Sequence, residues 1–179
     1  LADHSVNVDQ ITYLDRYYRG DQPILYRVKQ NRPEVNNKVV ENLAWFIVET
    51  KTAEIAGEPI QYVLHGKDET KSDEVARLNT YADSEDKAYE DIELCRWRSV
   101  CGTAYRYIGH SKKKNRLMDE TPFYLTTPDP RDAFVVYDSE DNPMMGVYIK
   151  GDNEYRNVYW VYTNSFWFKI AEGKILKSG

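Results

Sequence analysis

The chain has 179 residues, 41% of them apolar and 30% charged, enough for one ordinary domain with a real core or two small ones, and unlike the composition of a disordered segment. Against 24 Lys and Arg stand 29 Asp and Glu, a formal net charge of −5, which argues against the broad basic footprint of a tight, sequence-blind phosphate clamp. No apolar run approaches the roughly 20 residues that span a bilayer, and no signal-peptide pattern opens the chain.

A first helix is predicted to start after Asn7 or Asp9, to carry Ile11, Leu14 and Tyr18 on one face, and to stop at Gly20. Pro23 then opens an extended piece over residues 24–28. The clearest helical pattern follows, with Pro33 near its start and Val35, Val39, Leu43 and Ile47 recurring every four residues. Val40, Ala44 and Val48 widen that stripe, so one long helix is expected over residues 34–56. Gly57 is expected to end it in the left-handed conformation, and Pro59 to bar its continuation. Residues 60–64 read as a strand.

Charge is dense over residues 67–91. A short helix around Val75, Leu78 and Ala82 is expected to break near Asp83 and Ser84. A longer one follows, with Ala88, Ile92, Cys95 and Ser99 at helical spacing and its end at Gly102; acidic residues crowd its first turns, where the helix dipole favours them. Cys95 and Cys101 lie on this helix. Six residues turn a helix by roughly 600°, so the two thiols point to different faces and read as reduced, in keeping with synthesis in a cytosol.

Beyond Gly102 the pattern changes to strands over residues 103–108, 123–127, 133–137, 144–150, 155–163 and 166–170, separated by turn chemistry. Helices first and strands second is the order of an α+β fold, not of alternating βαβ units. Residues 1–102 are therefore expected to be mainly helical and residues 103–179 to form mainly an antiparallel meander. The chain opens on Leu1, and residues 170–179 show no closing element, which reads as a piece of a longer polypeptide.

No pattern signals a catalytic, cofactor or metal site. The imidazoles are His4, in a terminus that reads as loose, and His65 and His110, where strands run into loops; none has a nucleophile-elbow sequence nearby. There is no Cys-x-x-Cys, no His-Glu-x-x-His and no glycine-rich phosphate loop. The run from Asp138 to Asn142 lacks the alternating oxygens, central glycine and distal glutamate of a calcium loop, and before Pro143 it reads as a hairpin turn. The carboxylates of residues 83–93 read as a solvated helix face.

Lys112, Lys113, Lys114 and Arg116 form the one basic cluster suited to nucleic-acid contact, though a hairpin tip also suits a solvated turn. The 15 Tyr and 4 Trp exceed what a core of this size hides. Along residues 155–168, strand alternation is expected to bury Trp160 and Tyr162 and to expose Tyr159 and Val161. These rings would serve as sheet core or subunit interface, or as a platform for sugars or bases.

Five motifs in chain order carry a resemblance. They are Tyr17-Tyr18-Arg19-Gly20 with Pro23-Ile24; Asn36-Asn37-Lys38 with Asn42, Ile47-Val48 and Lys51-Thr52; Gly57-Glu58-Pro59-Ile60-Gln61-Tyr62; Gly102-Thr103-Ala104-Tyr105; and Phe134-Val135-Val136-Tyr137-Asp138. From about Tyr17 to Tyr148 the chain resembles the tailed-bacteriophage portal protein family, whose opening, long first wing helix, helix exit, helix-to-strand turn and strand these motifs match in turn. It departs at Gly146-Val147-Tyr148-Ile149, where the family often shows an Arg-Tyr pair.

The resemblance implies a single wing-domain fragment over residues 1–179, without the family's stem, clip, tunnel loop and crown. Its structural residues would be Tyr17, Tyr18, Gly20, Asn37, Asn42, Gly57, Pro59, Tyr62, Gly102, Ala104, Tyr105, Tyr137 and Asp138. It implies no enzyme and no cofactor, but a homo-oligomeric ring, dodecameric in the family, at one capsid vertex of the virion. The subunit would be made in the bacterial host cytoplasm, from a phage or prophage, and would have no membrane partner. The ring would pass double-stranded DNA from the packaging terminase, meet capsid, scaffold and head-completion proteins, and join head to tail. Two other readings stand beside it: an accessory module that binds carbohydrate or a host surface through residues 155–168, and an enzyme that uses surface carboxylates.

Overall fold

A computed structural model describes residues 2–65, 71–110 and 121–179. Among them are four α-helices and two antiparallel sheets, of two and five strands, so the class is α+β as the order of elements suggested. The chain divides into two compact units, Thr12–Thr127 and Leu1–Ile11 with Pro128–Gly179. No helix among the described residues is long and apolar enough to cross a membrane.

Helix α1 (Ala2–Tyr18) begins well before the predicted start, running through Asn7 and Asp9. Its buried positions are His4, Ile11 and Asp15, whereas Leu14 is exposed. Two of the three are polar, which hides the stripe from a search for apolar spacing. In the Thr12–Thr127 unit, a 3₁₀ turn at Pro23–Tyr26 replaces the expected extended piece; proline at its first position supplies a helical φ and needs no N–H there.

The long helix predicted over residues 34–56 is present only as α2 (Leu43–Ala56). Residues 34–42 are tied to the preceding segment instead. Arg27 Nη2 donates to the Asn37 carbonyl oxygen at 3.2 Å, Asn36 Nδ2 to the Arg27 carbonyl at 3.3 Å, and Lys38 Nζ to the Leu25 carbonyl at 2.6 Å. The valines at helical spacing consequently face solvent, with Val39 78% exposed. Within α2 itself, Leu43 and Ile47 are also exposed, and the buried row is Val48, Thr52 and Ala56. This helix packs against α4.

Gly57 ends α2 with φ −68°, not in the left-handed conformation expected. A Cβ there would stand 2.3 Å from the Ala53 carbonyl oxygen, so close approach explains the glycine. Residues 60–64 are not a strand. Asn79 takes the place of a pairing strand: the Tyr62 N–H donates to its Oδ1, and its Nδ2 donates to the Tyr62 carbonyl, both at 2.9 Å. Helices α3 (Ser72–Ser84) and α4 (Lys87–Cys101) follow, broken where predicted, with Gly102 left-handed beyond α4. Strands β1 (Tyr107–His110) and β2 (Phe123–Thr126) then pair antiparallel.

In the other unit β3 (Ala133–Tyr137), β4 (Pro143–Ile149), β5 (Tyr159–Thr163), β6 (Trp167–Ala171) and β7 (Lys174–Ser178) form one antiparallel meander in chain order. Strand β7 was not predicted. Its turn is Glu172-Gly173, both at positive φ (49° and 74°), the two-residue hairpin geometry that matches strand twist. The expected alternation along β5 is absent, since Tyr159, Trp160, Val161 and Tyr162 are all half-buried. Strand β5 is central in the sheet, between β4 and β6.

His4 is buried rather than loose. Its ring lies 4.3 Å from that of Phe134, and Nε2 donates to the Arg131 carbonyl oxygen at 2.9 Å.

Candidate functional site

The helices of the Thr12–Thr127 unit bring several motif residues to one place. Gly20 follows α1 at φ +86°, and a Cβ there would meet the Asn42 amide at 3.4 Å. Asn42 stands at the N-cap of α2, where its Oδ1 accepts the Trp45 N–H at 3.1 Å. Its Nδ2 donates to the Tyr18 carbonyl oxygen at 2.8 Å. Near the middle of α2, Glu49 accepts the Tyr18 hydroxyl at 2.6 Å and Arg96 Nε of α4 at 3.0 Å; Arg96 also pairs with Glu93.

Tyr18, Glu49, Glu93 and Arg96 line a cleft of about 400 Å³, with Asp15, Trp45 and Trp97 among its walls. Burial, and then the Glu49 hydrogen bond, pushes the Tyr18 phenol up to about 12. Arg96 and Tyr18 hold the Glu49 carboxyl below its ordinary value, and Glu49 raises the Arg96 guanidinium. A phenol that stays protonated beside a carboxylate that stays ionised is poorly placed for proton transfer near neutrality. The arrangement fastens α1, α2 and α4 together.

A second cluster fixes the N-terminal part of α4 to the residue just before β1. Asp91, buried, takes Lys87 on one oxygen and Arg106 Nη1 on the other. Burial works against its charge, but these two cations overcome it and keep the carboxyl below its ordinary value. Tyr105 and Ala104, half-buried, lie in the link between Gly102 and β1.

In the sheet unit, Asp138 builds the β3–β4 turn. Its Oδ1 accepts the N–H groups of Glu140 (2.8 Å) and Asn142 (2.9 Å), which lowers its pKa. Tyr137 is exposed at a bulge beside it. On the β5–β6 face, Trp160 and Trp167 stack at 5.8 Å. Lys169 Nζ lies over the Trp160 ring at 5.6 Å, and Lys177 Nζ over the Trp167 ring at 5.8 Å. The two lysines stand over indole surface that a stacked sugar or base would need.

The sequence profile described as phage portal protein, SPP1 Gp6-like, matches residues 1–177. The chain belongs to this portal family. A search of curated proteins finds no match. The portal chain thus gathers Tyr18, Gly20 and Asn42 in one fastening, while Asn37, exposed, offers its carbonyl to Arg27 and lies outside α2. Tyr17 is exposed, Pro59 follows the Gly57 stop, and Tyr62 is held by Asn79. The basic cluster of Lys112, Lys113, Lys114 and Arg116 lies outside the described residues. Sequence reasoning missed Glu49, Arg96, Asp91 and Arg106. Their ionic pairing spans up to 47 residues of chain and leaves no local signal.

Proposed function

We propose that this chain is wing-domain material of a portal ring subunit, a structural part that sits at one capsid vertex of a phage and conducts double-stranded DNA during packaging and ejection. In this reading residues 1–179 work mechanically and catalyse nothing. The ring is dodecameric, as in the family, and docks the packaging terminase, scaffold and head-completion proteins through the full-length chain. The observation that carries the proposal is the family match over residues 1–177.

Two features support it. The titratable groups of the Tyr18–Glu49–Arg96 cleft are mutually satisfied rather than poised for chemistry. The outward side of α2 leaves Leu43, Phe46, Ile47 and Ile55 in solvent, apolar area of the kind that subunit contacts cover. The net charge of −5 suits a surface along which DNA slides, with any phosphate contact confined to Lys112, Lys113, Lys114 and Arg116.

Electron microscopy of the purified full-length protein tests this. Closed rings with a central channel, binding duplex DNA weakly at physiological salt, are expected. A protein that stays monomeric, and whose deletion leaves phage heads filled with DNA, would overturn the reading.

A further inference from the structure

Arg106 has one side of its guanidinium in use and the other without a partner among the described residues. Nη1 bonds Asp91, whose other oxygen is taken by Lys87. Nε and Nη2 are buried and have no hydrogen-bond partner among the described residues. Together these two nitrogens make the side-on fork that matches the two oxygens of a carboxylate. Buried donors are nearly always partnered, so a fork left open points to an acceptor beyond the described residues.

Arg106 and Lys87 line a cavity of about 240 Å³, whose other walls include Leu78, Phe123, Leu125 and Ile108. Ile108 is 65% exposed. The cavity is smaller than the roughly 300–1,000 Å³ usual for small-molecule sites. It suits one carboxylate on an aliphatic stem. A phosphate would bring further charged oxygens against apolar walls, while Lys87 is already committed to Asp91.

We propose that this cavity receives a carboxylate side chain from a second copy of the same chain, seated on the Arg106 fork with its stem against Ile108 and Leu125. The choice of occupant rests on the ring reading above. In a ring, neighbours meet head to tail through two different patches, so the cavity has no need to face itself. The chain supplies acceptors freely, with 29 acidic residues against 24 basic ones. Closing the interface would exclude water and strengthen the charge-assisted pair.

The test measures assembly of the full-length protein against concentration, by sedimentation and by counting rings in micrographs. Four proteins are compared: wild type, Arg106→Lys, Ile108→Ser and Asp91→Asn. Lysine at 106 keeps a cation for Asp91 but has no fork, and serine at 108 removes apolar wall without touching the ion pairs. Both variants should need about tenfold more protein for half-assembly, a loss of about 1.4 kcal/mol, while their subunit melting temperatures stay near wild type. Asp91→Asn keeps the fork and loses the internal pair, so it should melt earlier with a smaller effect on assembly.

Unchanged assembly of Arg106→Lys and Ile108→Ser would overturn the proposal and leave the portal reading standing. So would assembly losses in all three variants that merely track their melting temperatures. A wild-type protein that never forms rings would remove the portal reading itself, and the second-copy occupant with it.

Discussion

Asn42 holds Tyr18 by a 2.8 Å hydrogen bond from its Nδ2 to the Tyr18 carbonyl oxygen, while its Oδ1 caps α2 through the Trp45 N–H. One short amide therefore both starts a helix and anchors the end of the helix before it. Asn42→Ala should lose the cap and the bridge together, lowering unfolding free energy by about 2 kcal/mol. Asn42→Asp keeps an oxygen for the cap but has no N–H for Tyr18, so it should lose about half as much. Urea denaturation of the two variants separates the roles; equal losses would show that the cap contributes nothing, and an Asn42→Asp variant as stable as wild type that the bridge contributes nothing.

The phenols of Tyr18 and Tyr124 are both pushed up to about 12, first by burial and then by hydrogen bonds with Glu49 and Tyr107 respectively. A raised phenol contributes stability that is fully present below its ordinary value of about 10 and is lost as pH climbs through its folded value. Absorbance titration should therefore show a late phase near pH 12 beside the ordinary tyrosines. Tyr18→Phe should remove part of that phase, and an unchanged late phase would show that Tyr18 titrates elsewhere.

Asp91 lies between Lys87 and Arg106, all three largely shielded from solvent. Replacing it with Asn leaves two cations near each other without their counter-charge, a change that costs about 3 kcal/mol when a pair is buried. Because the Asp91 carboxyl sits below its ordinary value, its contribution is present above the usual carboxylate range and fades as pH falls. The gap between wild type and Asp91→Asn should accordingly be wide at pH 7 and narrow in acid. Melting temperatures across pH 3–7 read this directly.

Asn79→Ala should free the Tyr62 N–H and carbonyl at once. Two exposed hydrogen bonds are worth about 1–2 kcal/mol together. The local readout is sharper, since the Tyr62 amide should exchange with deuterium faster while amides in α4 keep their protection. Unchanged exchange at Tyr62 would mean that water already answers this backbone.

The sequence carried the later helices and the meander clearly, and failed in places with physical reasons. The α3–α4 break, the Gly102 stop and the turns between β3 and β6 follow from local chemistry, and they appear. Val35 and Val39 keep helical spacing, but Arg27 and the Leu25 carbonyl hold their segment from outside, an effect that periodicity does not register. His4 and Asp15 occupy buried helix positions usually filled by apolar residues, so α1 showed only its second half. Strand β7 follows from the Glu172-Gly173 turn, but Lys174 and Lys177 interrupt its apolar residues and leave a weak strand pattern. The fastening was half legible: Tyr18, Gly20 and Asn42 stood out as motifs, whereas Glu49 and Arg96 needed the fold to meet.

Asn79 also shapes what this chain refuses to do. Residues 60–65 run without a pairing strand among the described residues, and Ile60 and Val63 are exposed, which is how a segment invites a stranger's strand to zip alongside. At Tyr62 the invitation is already taken, because a side-chain amide mimics the missing neighbour with both of its polar atoms. An incoming strand would first have to evict Asn79. Such a built-in decoy disfavours the clumping of one copy on another through bare backbone.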